Sequence, residues 1–319
     1  MFFYKIILIT LLLFNVTYAN NSKSKKIIYI ASDVTIPFWQ IMSRGIQNGS
    51  HQYDYNLEIY SSENKAKKEL ELVTKAIENK VDGIVISPTN SSACVTVLKL
   101  AKNANIPVVI ADIGTDGGEY LSYISSNNQQ GAYEIGKVLT TKMTELKYNK
   151  GKVGIIAIPQ KRLNGQARTQ GFMEALNEAG VKGANIKQQV DFSLEETYTL
   201  SKELIKNNPD LRAIWLQGSD KYEGAIKAIY EAGKKEEILL ITFDAEPIFL
   251  ELIPQGILVG AAMQQPFLMG EEAIKALHQH FNQKNVTKNI QLPILAISAN
   301  NIHTMLPVIK RNVLGLTAK

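Results

Sequence analysis

The sequence of 319 residues is poor in cysteine: Cys94 is the single one, so no disulfide can close within the chain and the fold must hold by packing. Cys94 sits in a helical apolar pattern, Ala93-Cys94-Val95 and Val97-Leu98, where it reads as a small buried hydrophobe. Histidine is scarce as well. Of the four, His278 and His280 stand two apart in a helical pattern and face different ways, which excludes a shared metal grip. No HExxH, GxSxG, Walker-type or paired CxxC pattern occurs, so the common hydrolase, nucleotide and zinc signatures are missing. Gly114, Gly117 and Gly118 spell GTDGG and open no helix, which argues against a dinucleotide loop. No metal and no cofactor is expected.

Charge clusters are lacking too. The 35 Lys and Arg against 30 Asp and Glu give a net +5, scattered over what read as exposed helix faces. Nucleic-acid binding calls for a concentrated basic face, and none is visible. Long apolar runs are limited to residues 6–16, which follow Lys5 and precede Ala19. That stretch falls short of the roughly 20 residues a membrane-spanning helix needs, and it stands where a secretory signal should. Residues 1–19 are therefore expected to be a cleaved signal peptide, with export of a soluble chain. The remainder is long enough for two domains with cores of their own.

What is present is alternation. Strand-like runs at 27–31, 57–60, 83–87 and 108–111 alternate with helical patterns at 38–52, 65–79 and 93–103. After a run at 120–124 the same grammar restarts, with strands expected at 153–158, 186–190, 213–216 and 238–243 and helices at 167–179, 194–207 and 222–232. A helix at 267–281, a strand at 292–297 and a short irregular tail complete the chain. Such alternation predicts α/β architecture with parallel, doubly wound sheets. The segment NKVDGIVISPTN, a helix and NIPVVIAD echo NPDLRAIWLQGSD, a helix and EEILLITFD, so two similar lobes are expected.

Each echo ends a buried strand on a carboxylate, Asp112 in one and Asp244 in the other. In open parallel sheets ligands gather beyond the carboxyl ends of strands, so both aspartates are candidates for one cleft between the lobes. Phe38 and Trp39 follow Pro37 just past the first strand, and Phe192 follows a strand of the second half. Flat rings of this kind suit the C–H faces of a sugar, while Asp112, Asp244 and Gln264 would take its hydroxyls. Two carboxylates also admit a glycosidase reading, which depends on a separation that sequence does not give.

The segments IPFWQIMSRGIQNG, NKVDGIVISPTNSSA, NANIPVVIAD, YISSNNQQGAYEIGK, GQARTQGFMEAL and LLITFD, in this order and spacing, resemble the periplasmic sugar-binding proteins of the ribose-binding type, which serve ABC importers. The resemblance runs from Lys26 to about Ile302. It implies the type I periplasmic binding protein fold: two lobes joined by a three-stranded hinge, closing on a ligand. By that pattern the crossings fall at Ser126-Asn127, Gln264-Gln265 and about Ser298-Ala299. The lobes would then be 25–126 plus 265–298, and 127–264 plus 299–319. It implies a monomer in the periplasm of a Gram-negative cell, not an enzyme, whose partners are a sugar or polyol and an ABC permease; a membrane histidine kinase or chemoreceptor is the alternative partner.

Carried over residue by residue, the family's site falls on Phe38, Trp39, Asp112, Arg168, Phe192, Asp244 and Gln264. The departures are telling. This chain has Ile36 where the ribose type has asparagine, and Ile113 and Gln166 where it has arginines. Gly218, with Gln217 and Ser219 beside it, replaces a second asparagine. Gln166 and Gln217 are thus expected to take part in a site that differs from the ribose site. So many lost donors predict a different small ligand.

Overall fold

The computed structural model describes residues 24–316, so the expected signal segment, residues 1–19, lies outside the described residues. Lobe 1 begins with β1 (Lys26–Ala31), α1 (Pro37–Gln52), β2 (Asn56–Ser61), α2 (Ala66–Glu78), β3 (Gly83–Ile86), α3 (Ser91–Asn103), β4 (Val108–Ala111) and β5 (Ser122–Ser126). The chain then crosses into lobe 2 through α4 (Asn128–Glu145), β6 (Lys152–Ala157), α5 (Leu163–Glu178), β7 (Lys182–Gln188), α6 (Leu194–Asn207), β8 (Leu211–Leu216), α7 (Tyr222–Glu231), β9 (Leu239–Phe243), α8 (Phe249–Leu252) and β10 (Gly260–Met263). It returns to lobe 1 for α9 (Pro266–Phe281) and β11 (Asn289–Leu292), then ends with β12 (Leu295–Ser298), α10 (Ile302–Val308) and a π-helical turn, Ile309–Val313.

Each lobe holds one six-stranded sheet, ordered β11-β5-β4-β3-β1-β2 and β12-β10-β9-β8-β6-β7. Numbered within its own lobe, the run from edge to edge is the same in both. The pairings are parallel except for β12, which runs antiparallel to β10. The central strands are buried on both faces; β3 and β4 owe this to runs of Ile, Val and Ala, while β1 and β9 carry Tyr29 and Thr242 among their aliphatic residues. Helices on both faces complete four apolar clusters, two per lobe.

The chain leaves the lobe 1 sheet after β5 and the lobe 2 sheet after β10. The last passage lies elsewhere than expected. The expected strand at 292–297 is two strands in different sheets, and the passage lies at Pro293-Ile294 rather than Ser298-Ala299. Pro293 has no N–H to give a ladder, so the strand ends there. Residues 295–298 therefore belong to lobe 2, and the tail expected to be irregular is helical. Among the described residues, no helix is long and apolar enough to cross a membrane.

Candidate functional site

The carboxyl ends of both sheets face the gap between the lobes. After β4 the chain turns at Asp112 with φ 67°, and after β9 it turns at Asp244 with φ 66°. Aspartate is among the few side chains that tolerate this left-handed conformation. The Asp112 N–H donates to the Ile124 carbonyl at 2.9 Å, and the Asp244 N–H to Ala262 at 2.8 Å, so each turn is pinned to the next strand.

Beyond that the two carboxylates differ. Asp244 accepts from Gln264 Nε2 at 2.7 Å and lies 3.6 Å from Arg168 Nη1. Asp112 accepts from the neutral amide of Asn164 at 3.1 Å, and its Oδ1 receives no hydrogen bond from any described residue. Burial pushes the Asp112 carboxyl up to about 6, with Arg168 opposing the rise and Asp244 adding to it. Burial raises Asp244 as well, against Arg168. Glu246, close behind and bonded to Ser219 Oγ at 2.8 Å, is raised to about 7 by burial.

Asp112, Arg168, Asp244 and Gln264 line one cavity between the lobes together with Phe38, Trp39 and Phe192. Phe38 and Trp39 meet edge to face at 4.8 Å on the lobe 1 side. Pro37 fits there as the first residue of α1, where its missing N–H costs no helical bond. Phe192 is held from below by Glu196, whose carboxylate accepts from the backbone N–H groups of Val190, Asp191 and Phe192, while Ser193 caps α6. This brace sustains a φ of 54° at Phe192, a strained value for an aromatic residue.

Two expected residues are elsewhere. Gln166 is exposed on the far side of α5 and donates to the Gln160 carbonyl at 2.8 Å. Gln217 is buried beneath the cavity, where it accepts from the Ile158 N–H and donates to Thr169 Oγ1. Its neighbour Gly218 reaches the cavity wall. The expected helix at 167–179 begins earlier, at Leu163, and this brings Arg162 and Asn164 into the cleft. Neither was anticipated. Asn164 stands four residues before Arg168, so both share one face, whereas Gln166 at two residues points away. That spacing was the available signal.

Arg162 spans the gap. Its Nε donates to the Thr89 carbonyl at 3.2 Å, and its Nη2 to Asn64 Oδ1 at 2.9 Å and Ser32 Oγ at 3.4 Å, all in lobe 1. The guanidinium lies 5.6 Å from the Phe192 ring centre. Arg168 stays within lobe 2 and the hinge, bonded to Asn128 Oδ1 and the Gln217 carbonyl and stacked 3.9 Å from the Phe243 ring centre. With Arg162 and Asn164 crossing it, the cleft is closed down to a cavity of about 50 Å³. Pockets for small ligands run to roughly 300 Å³ and more, so a cavity of this size is too small for a ring-sized ligand with the lobes as they stand. A wider groove of about 670 Å³ between α6 and α7 is an open surface, lined by Tyr198, Lys202 and Glu231, which bond to one another.

Two α/β lobes, a triple crossing between them and a closed cleft fed by both sheet edges define a hinge-closing binding protein. The chain belongs to the periplasmic binding protein domain family, which matches residues 27–285. It is 27% identical over 279 residues to the ribose import binding protein of Bacillus subtilis, covering 86% of this chain and 88% of that one. It is 23% identical over 240 residues to the D-apiose import binding protein of Actinobacillus succinogenes, covering 75% and 76%. A solved carbohydrate transporter solute binding protein from Agrobacterium radiobacter, in complex with D-arabinose, superposes with a TM-score of 0.84 at 21% identity, over 92% of this chain and 99% of that one. A periplasmic solute binding protein from Actinobacillus succinogenes with bound D-allose gives 0.81 at 21% identity, over 88% and 100%.

Proposed function

We propose that this chain is the periplasmic solute-binding component of an ABC importer, which captures a small ligand of the sugar or polyol class between its lobes. It acts by binding and not by turnover. The observation that carries this reading is the cleft itself: carboxylates and amides from both lobes, Asp112 from lobe 1 and Asp244 with Gln264 from lobe 2, stand between the apolar walls of Phe38, Trp39 and Phe192. A ligand touching both lobes stabilises the closed form, and closure is what a permease reads. The names of the relatives as import binding proteins support the transport role.

The ligand differs from ribose. Ile113, which stands where the ribose type has an arginine, is fully buried in the lobe 1 core and offers no donor. Ile36 puts an apolar side chain on the cavity wall where that type has an amide. A thermal-shift screen of pentoses, hexoses, their amino derivatives and polyols tests the reading. A saturable rise in Tm with one of them, without chemical change of the ligand, is expected. Silence across the whole screen, or turnover of a glycoside, would overturn it.

A further inference from the structure

The cavity has a surplus of acceptors. Asp112 is 2% exposed, and among the described residues no lysine, arginine or histidine nitrogen comes within ion-pair distance of it. One of its oxygens rests on a neutral amide and the other accepts from nothing in the described chain. Gln264 repeats the pattern. Its NH₂ is committed to Asp244, which fixes the amide's orientation, and its Oε1 is buried and unreached. Asp220 also lines the cavity and is paired at its Oδ2 with Lys221 at 2.9 Å.

Arg168 and Arg162 act on the Asp112 carboxylate through space, but neither bonds to it, and both are held by other acceptors. Arg162 is held by three neutral acceptors of lobe 1, and Arg168 by Asn128, Gln217 and Asp244. A buried carboxylate with no ion-paired partner is costly, and a hydroxyl relieves the missing hydrogen bond but adds no charge. An ammonium group relieves both, because it brings three donors and a positive charge. Phe38 and Trp39 line the same cavity, and aromatic rings attract a cation. Asp112 titrates at about 6, so at neutral pH it is ionised and able to pair.

We infer that the ligand bears a protonated amine, received by Asp112 and Gln264, so that the cleft takes an amino sugar or amino polyol in preference to its neutral counterpart. This rests on the sugar or polyol capture proposed above. Ile36 and Gly218, which offer no side-chain donors, fit the same reading, since a cationic group asks the wall for acceptors.

Titration calorimetry on matched pairs tests it: D-glucosamine against D-glucose, D-galactosamine against D-galactose, and D-glucamine against D-sorbitol, at pH 7.5. In at least one pair the amine is expected to bind about ten-fold or more tightly than its neutral partner, the difference between a charged and a neutral hydrogen-bond partner. That preference should vanish in Asp112→Asn, whose asparagine also tolerates the left-handed turn, and in wild type at pH 5.0, where the carboxyl is protonated. If a neutral member binds and no amine exceeds its partner, the inference falls while sugar or polyol capture stands. If no member of any pair binds, the inference falls, and the sugar or polyol reading is decided by the wider thermal-shift screen. Should Asp112→Asn fail to fold, the wild-type pairs and the pH comparison decide the matter alone.

Discussion

Asp112 and Asp244 occupy equivalent strand ends in the same left-handed conformation, yet one has an arginine 3.6 Å away and the other has a neutral amide alone. The repeat of the backbone is thus broken in the electrostatics. Arg168 pairs directly with Asp244, while it reaches Asp112 only through space.

The first consequence concerns stability. The Asp112 carboxyl moves from its ordinary 3.8 to about 6 in the folded chain, so between those pH values the folded state binds a proton that the unfolded chain has lost. Stability therefore falls as pH rises through that window, and the full penalty is present above pH 6. Two pKa units correspond to about 3 kcal/mol. Asp112→Asn is expected to melt higher than wild type at pH 7.5, with the gap closing toward pH 4. Melts that coincide at every pH would show the charge to be compensated after all.

Arg162 bridges the lobes with three hydrogen bonds to neutral acceptors, and bonds with one charged partner contribute roughly 1.5–3 kcal/mol each when buried. Arg162→Met keeps the stem and removes the donors. The ligand-free protein should then shift to a more open form, seen as a larger radius of gyration in small-angle scattering. An unchanged radius would mean that the closed form does not depend on this side chain.

The chain has two tryptophans, Trp39 at the cleft and Trp215 stacked on Phe172 at 3.8 Å in the core of lobe 2. In a Trp215→Phe background the emission reports Trp39 alone. A ligand that closes the lobes over that ring should shift its emission maximum. Ligand binding proved by calorimetry without any change in emission would place the ligand away from the α1 wall.

Packing between α1 and α9 depends on two glycines. A Cβ at Gly45 would stand 2.0 Å from the Phe267 carbonyl oxygen, and one at Gly270 would stand 2.5 Å from that of Met42. Backbone cannot yield as a side-chain tip can, so Gly45→Ala should cost about 2–3 kcal/mol in denaturant unfolding. Gly117→Ala, where nothing lies within 4 Å, is the matched control and should stay close to wild type.

The strands and the two-lobe repeat were legible because apolar runs such as VVIA and LLI have few other uses. The aspartates were legible for the same reason, as polar stops on buried strands. Gln166 was misplaced because its position came from a sequence pattern, whereas the phase of α5 is set by where the helix starts, at Leu163. Arg162 was out of reach for a related reason: its partners Ser32, Asn64 and Thr89 lie in lobe 1, 73 to 130 residues away in the chain, and only closure brings them near. The third crossing was lost because β11 and β12 read as one apolar run, and a single proline divides them.

That crossing bears on the order in which the protein can be built. The lobe 1 core includes Met269, Ala273, Ile274, Ala276 and Leu277 of α9, and β11 closes its sheet beside β5. A chain still being synthesised lacks all of these until its last fifty or so residues emerge, since domains complete as units. Lobe 2 waits still longer, for β12 and for Ile302, Ile309 and Val313. Both halves thus reach completion within the same short stretch of chain, and an N-terminal fragment ending before α9 would hold neither.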